Sequence, residues 1–299
     1  MTSRERGFLL LTSHLGDPSR KPLTVAQLRD LSGRARELAM DDPNRNMIPE
    51  DLMKLGYCPD MAQRILSLLA DKELLEYYLH RGARLGCQVL TRVSEGYPMQ
   101  VRTKLGLDSP GCLWTKGDIS LLERPSVSAV GSRELRSANR EFAYEIGAQA
   151  AKQGYVLVSG NARGADKVAQ EACLAFGGCV ISVVADALEK QPERERVLYI
   201  SEDSFDEGFS AQRAISRNRV IHTLSSKTFV SQCTEDTGGT WDGTVKNLKA
   251  GWSSVYCFLD GSAASQRLRD MGAVPVKMQQ LIDFSGLQES QHLFSIKEI

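Results

Sequence analysis

Two short runs of the chain combine glycine, hydroxyl and arginine in an order suited to holding an anion: Val130-Gly131-Ser132-Arg133 and Ser159-Gly160-Asn161-Ala162-Arg163-Gly164-Ala165-Asp166. A glycine lets the backbone approach a phosphate. The amides that follow it and the Ser132 hydroxyl can donate to the oxygens, and Arg133 or Arg163 can clamp them with two parallel N–H bonds. Neither run is a Walker loop or a G-x-G-x-x-G fingerprint. Tight strand-to-helix turns would explain the glycines, but not an arginine in both loops. Further along, Ser216-Arg217-Asn218-Arg219 adds two guanidiniums and an amide, although a charged helical face is usually only solvated. The stretch from Asp236 to Thr244 carries Gly238, Gly239 and Thr240, a glycine-hydroxyl loop that again suits a phosphate or ribose. Its Trp241 is either a stacking platform or a loop anchor in the core.

The elements needed to position these residues are legible in the hydrophobic pattern. From residue 84 onward, near-continuous apolar runs alternate with amphipathic stretches, the layout of a parallel sheet with helical crossovers. The pattern predicts strands at Val127 to Val130, Tyr155 to Val158, Cys179 to Val184, Leu198 to Ser201, Thr228 to Ser231 and Val255 to Leu259, with Cys87-Gln-Val-Leu-Thr as a further strand. Helices are predicted at Ser137 to Gln153, Ala165 to Phe176, Ala211 to Leu224, Thr244 to Ala250 and Ala263 to Met271. The fold class is therefore α/β: a Rossmann-like, doubly wound, mostly parallel sheet whose binding crevice lies beyond the carboxyl ends of its strands. The first eighty residues read instead as short helices, at Thr24 to Met40, Pro49 to Leu55, Pro59 to Ala70 and Glu73 to Arg81. Within them Leu52 to Ile65 has a helix, glycine turn, helix shape centred on Gly56. Helix-hairpin-helix modules use that shape to offer amides to DNA, but plain packing explains it as well. Two domains are expected, a small helical one over 1–82 and the sheet domain over 83–299.

Composition narrows the function classes. With 299 residues, 42% hydrophobic and 25% charged, the chain is an ordinary globular sequence, which excludes disordered and collagen-like classes. No apolar run approaches the roughly 20 residues of a membrane span. No signal peptide is read at the start, so a cytoplasmic, membrane-free setting is expected. Lys plus Arg and Asp plus Glu both number 37, so a grip on a polyanion must come from a local arginine cluster. The seven scattered cysteines contain no C-x-x-C pair, and the four histidines have no metal-binding spacing. No metal or cofactor is expected.

Taken in order, these motifs resemble the DprA/Smf family of DNA-processing proteins, within the wider Rossmann-like group that also holds the LOG phosphoribohydrolases. The family's V-G-S-R matches Val130 to Arg133, its S-G-x-A-R-G-x-D matches Ser159 to Asp166, its S-E matches Ser201-Glu202, and its R-N-R-x-I-x-x-L-S matches Arg217 to Ser225. Upstream, Tyr97-Pro98 and Asp108-x-Pro110 leading into Leu113-Trp114-Thr115-Lys116-Gly117 match further elements, so the resemblance spans nearly the whole chain. The sequence departs from the family at Gln170, where a histidine is usual, and at Ala185, Ala187 and Glu189. Gly238-Gly239-Thr240-Trp241 replaces a G-S-L loop, the stretch from Phe209 to Arg217 is longer than usual, and no winged helix is expected after residue 275.

The resemblance implies a non-catalytic protein that binds single-stranded DNA through a basic pocket at the strand ends, associates as a homodimer and helps load a RecA-type recombinase in transformation or recombination. The site residues it carries over are Gly131, Ser132, Arg133, Ser159, Gly160, Arg163, Gly164, Asp166, Arg217, Asn218, Arg219, Gly238, Gly239 and Thr240. The residues themselves agree in one respect: four arginines are expected at one mouth without a nucleophile and its base. A nucleotide-binding sensor of the same fold fits every residue too, and the neutral net charge leans toward it. A LOG-like hydrolase of nucleoside monophosphates is the third reading; it would need a glutamate that the stretch from Asp236 to Thr244 lacks.

Overall fold

The computed structural model describes residues 1–36 and 47–290. Among the described residues the chain opens with five helices: α1 (Ser3–Thr12), α2 (Val25–Ala35), α3 (Pro49–Lys54), α4 (Pro59–Ala70) and α5 (Lys72–Arg84). The sheet region then runs β1 (Cys87–Thr91), α6 (Met99–Leu105), β2 (Cys112–Lys116), β3 (Ser126–Val130), α7 (Ser137–Lys152), β4 (Val156–Ser159), α8 (Ala165–Ala175), β5 (Val180–Val183) and β6 (Val197–Glu202). It ends with α9 (Ala211–Ser216), α10 (Asn218–Leu224), β7 (Lys227–Val230), α11 (Gly238–Ala250), β8 (Ser254–Phe258), α12 (Ala263–Asp270) and β9 (Val274–Val276).

The nine strands of the described residues join one sheet in the order β1-β2-β6-β5-β4-β3-β7-β8-β9. From β6 to β9 every pairing is parallel, whereas β2 runs antiparallel to both β1 and β6. The strand order reverses at β3, which lies between β4 and β7, and this is where a doubly wound sheet opens a crevice. Side chains alternate across the strands, so Val127, Leu157 and Val180 face α7 and α8, while Val130, Val158 and Ile181 face α10, α11 and α12. The Rossmann-like expectation holds, with an antiparallel edge added to the parallel sheet.

Several boundaries differ from the sequence reading. Helix α1 went unread because its apolar residues are bunched at Leu9 and Leu10 instead of recurring at helical spacing; a Thr2–Glu5 capping box starts it. Strands β2 (five residues) and β9 (three residues) were not predicted, and β2 was visible only as a motif. The helix expected over Ala211 to Leu224 breaks at Arg217 into α9 and α10, and α11 begins at Gly238, six residues before the expected Thr244. Helix α2 ends at Ala35, and the tail of the longer helix expected to Met40 lies outside the described residues.

The leading helices divide between two cores. Leu23, Leu31, Leu52, Ala62, Ile65 and Leu68 form a core of their own. Leu9, Leu10, Leu75 and Tyr78 belong instead to the main core on the α7–α8 face of the sheet. At the Gly56 turn the amides of Gly56 and Tyr57 donate to Met53 and Leu52, and Arg34 caps the Leu55 carbonyl at 2.8 Å. Those amides are committed within the turn, which favours the packing explanation over a phosphate-binding hairpin.

Candidate nucleic-acid interface

Three connections meet beyond the carboxyl ends of β3, β4 and β7. The β3 loop, Gly131 to Arg133, is fixed to its neighbours by its own polar groups. Ser132 donates from both its amide (2.9 Å) and its hydroxyl (3.2 Å) to the Gln232 carbonyl, and the Gly131 carbonyl accepts from the Thr240 hydroxyl at 3.0 Å. Ser132 was expected to turn those donors toward an anion; here they tie β3's loop to β7's. The β4 loop passes close beneath at Gly164, whose φ is +90° and where a Cβ would overlap the Ser132 and Arg133 carbonyls, so no other residue fits. Ala165 then donates its amide to the Ser132 carbonyl at 3.1 Å and starts α8.

Arg217 sits at the joint between α9 and α10 and is 9% exposed. Its Nη2 donates to the Gly160 carbonyl at 3.1 Å and lies 3.8 Å from Asp166 Oδ2, while Nη1 donates to Asn218 Oδ1 at 2.6 Å. Any side chain at Gly160 would overlap the guanidinium, which explains the glycine there. Asp166 also accepts the Ala162 amide at 3.1 Å. Burial pushes its carboxyl up from the usual aspartate value, and Arg217 pulls it back. Arg217 and Asp166 therefore form a buried pair that shapes the β4 loop, and Arg217 is not a free donor at the mouth.

The remaining arginines separate. Arg163 reaches outward and pairs with Glu134 at 3.0 Å across an exposed contact. Arg219, two residues further along a helical backbone, lies on the face opposite Arg217 and meets Glu202 of β6 at 3.2 Å. Arg133 is exposed and has no ion pair or hydrogen bond among the described residues. The sequence placed all four at one mouth; the structure brings Arg133, Arg163 and Arg217 there and leaves Arg133 as the uncommitted cation.

Two adjoining clefts of about 670 and 550 Å³ share Arg133, Ala162, Phe209, Ala214 and Arg217. The second is floored by Gly131, Asn218, His222 and the first turn of α11, Gly238 to Thr240, which the sequence reading took for a loop. Thr237 precedes that turn without a side-chain cap, and Gly238 to Thr240 line the cleft. Ser159 stays in the interior, fully buried and accepting from Gln170 at 2.7 Å. Trp241 is a core anchor at 7% exposure and not a stacking platform. Sequence reasoning missed the rim: Phe209 and Ile215, 58% and 50% exposed, both line the second cleft. It missed His222 as well, although the i, i+4 spacing from Asn218 marks both for the same face of α10. Among the described residues, no helix is long and apolar enough to cross a membrane.

A family model described as DNA recombination-mediator protein A matches residues 88–268, the segment that carries every crevice residue named above. The DNA processing protein DprA of Bacillus subtilis (strain 168) is 26% identical over 164 residues, which cover 51% of this chain and 54% of that protein. The chain spans about half the length of the curated relatives it matches. Among solved structures, DNA processing protein A of Streptococcus pneumoniae superposes with a TM-score of 0.72 at 21% identity, covering 94% of this chain and 98% of that one. DNA processing protein A of Helicobacter pylori, solved for its single-stranded DNA binding mode, gives a TM-score of 0.55 at 22% identity, covering 66% and 94%. At these identities the solved structures speak for the fold.

Proposed function

Since the chain belongs to the DNA recombination-mediator protein A family, we propose that it is a DNA-processing protein that binds single-stranded DNA across the crevice at the ends of β3, β4 and β7. The observation that carries this is the pairing of a free cation with an open aromatic at one opening: Arg133 without a partner among the described residues and Phe209, 58% exposed, on the same two clefts. A guanidinium takes a phosphate and a phenyl face takes an unpaired base. Bases locked in a duplex do not present that face. The role that follows is binding without catalysis: holding single strands, as a homodimer, while a RecA-type recombinase is loaded.

One observation favours a second reading, a sensor of small nucleotides. Arg163 and Arg217 are both matched by carboxylates, so the mouth has little net positive charge for a long polyanion. A fluorescence anisotropy titration separates the two. Labelled oligothymidylate is expected to bind more tightly than the same length of duplex and to resist competition by thymidine monophosphate. Displacement at equal concentrations of phosphate would favour the sensor, and equal affinity for single strands and duplex would reject the single-strand reading.

A further inference from the structure

The inner end of the crevice narrows between α10 and α11. Asn218 and His222 lie one turn apart on α10 and face Gly239 and Gly243, one turn apart on α11. Asn218 Nδ2 donates across this channel to the Gly239 carbonyl at 2.9 Å. A Cβ on Gly243 would lie 3.1 Å from His222 Nε2 and 3.2 Å from Asn218 Cβ. His222 is 1% exposed, yet it lines the crevice.

The ring of His222 is held from behind by groups whose roles can be assigned one after another. The backbone N–H of Ser253 donates to Asn247 Oδ1 at 2.9 Å, which fixes which end of that amide is oxygen. Asn247 Nδ2 therefore faces Ser253 Oγ at 2.9 Å and His222 Nδ1 at 3.2 Å. An amide nitrogen only donates, so Nδ1 is the acceptor, and the proton of the neutral ring sits on Nε2. Thr228 Oγ1 adds a second contact to Nδ1 at 3.3 Å. Burial, reinforced by the nearby Arg217, holds the ring neutral, with a pKa of about 3. Nε2 has no hydrogen-bond partner among the described residues, and it is not one of the fully buried unpaired atoms, as expected of an atom that opens onto the crevice.

We propose that His222 is a binding residue: its Nε2–H is a fixed, uncharged donor at the inner end of the crevice, and it takes a phosphate oxygen of the nucleotide unit seated against the first turn of α11. Close helix packing explains Gly243, but it does not explain an imidazole whose only outward atom is a proton donor. The uncapped amides of that turn supply the complementary donors from the other wall. This inference rests on the nucleotide-binding reading of the crevice, whether the phosphate belongs to a DNA strand or to a free nucleotide.

The test uses the full chain labelled with ¹⁵N-histidine. A long-range nitrogen–proton correlation spectrum reports which ring nitrogen carries the proton, and the His222 signals are those lost in His222→Gln. At pH 7 the Nε2–H tautomer is expected, and its proton should shift when oligothymidylate or thymidine monophosphate is added. His222→Phe should weaken binding about fivefold to tenfold. Gly243→Ala should do the same by placing a methyl against Nε2 while leaving the Asn247 contacts in place; if His222→Phe does not fold, this variant and the wild-type spectrum decide. An Nδ1–H tautomer, or an Nε2–H unmoved when anisotropy shows the crevice saturated, overturns the inference alone. If the wild type binds neither probe, the nucleotide reading itself falls, and the inference with it.

Discussion

At the scale of single residues, the crevice holds its charge in reserve. Glu134 and Arg163 are 86% and 77% exposed, and such pairs contribute little to stability, about 0–1 kcal/mol. Glu134→Gln should therefore leave the melting temperature nearly unchanged. It should tighten binding to oligothymidylate, because it removes a negative charge and frees Arg163; an unchanged or weaker affinity would show that Arg163 does not reach the strand. His222 makes a different kind of prediction. Its folded pKa of about 3 lies below the usual 6.5, so the unfolded chain takes up a proton that the folded one refuses. Stability is therefore full above pH 6.5 and falls as the pH drops toward 3, by about 1.4 kcal/mol per pH unit from this group alone. Thermal melts at pH 7 and pH 5 should differ, and His222→Gln should flatten that difference. The sequence showed which residue types gather at the mouth. It did not show which arginines are already matched, since Glu134, Asp166 and Glu202 find their partners only through the fold.

At the scale of elements, the site depends on loops that touch because glycines let them. Gly160→Ala would push a methyl into the Arg217 guanidinium and disturb its bond to the Gly160 carbonyl and its pairing with Asp166. A loss of about 1–3 kcal/mol is expected from such overpacking, read as a shift in the denaturant midpoint. A midpoint equal to that of wild type would mean that Arg217 is not the anchor of the β4 loop. The parallel strands and their helices were legible because continuous apolar runs and amphipathic periods are local signals. The break at Arg217 was not, because it is set by contacts with β4 and α8, far away in sequence. The early start of α11 was hidden for a related reason: Gly238 and Gly239 have poor helix propensity, and tertiary packing against Gly131 and Asn218 overrides it.

At the scale of the whole molecule, the leading helices and the sheet meet around an aromatic cluster. Tyr78 on α5 packs edge-on to Trp114 of β2 with ring centres 5.3 Å apart, and Phe205 lies 4.7 Å from Tyr78 and 4.6 Å from Trp114. The Tyr78 hydroxyl also donates to Asp206 at 2.8 Å. Tyr78→Ala should cost about 3–5 kcal/mol, and a single transition in calorimetry should move as one. Two resolved transitions, with only the lower one displaced, would show that the helical part melts separately. The change in hydrophobic period predicted a division near residue 82, but period alone could not show that α1 and α5 contribute to the core of the sheet.

In the proposed function, a single strand is gripped at the sheet's switch point through Arg133, which has no ion pair among the described residues. The salt dependence of oligothymidylate affinity, measured for the wild type and for Arg133→Ala, tests it most directly. Arg133 has no partner among the described residues, so its removal should leave the fold intact. Binding should weaken by about 1.5–3 kcal/mol, and the magnitude of the salt slope should fall by about 0.7, the share of one neutralised phosphate on a single strand. Equal affinity and equal slope in a folded Arg133→Ala protein would contradict the account.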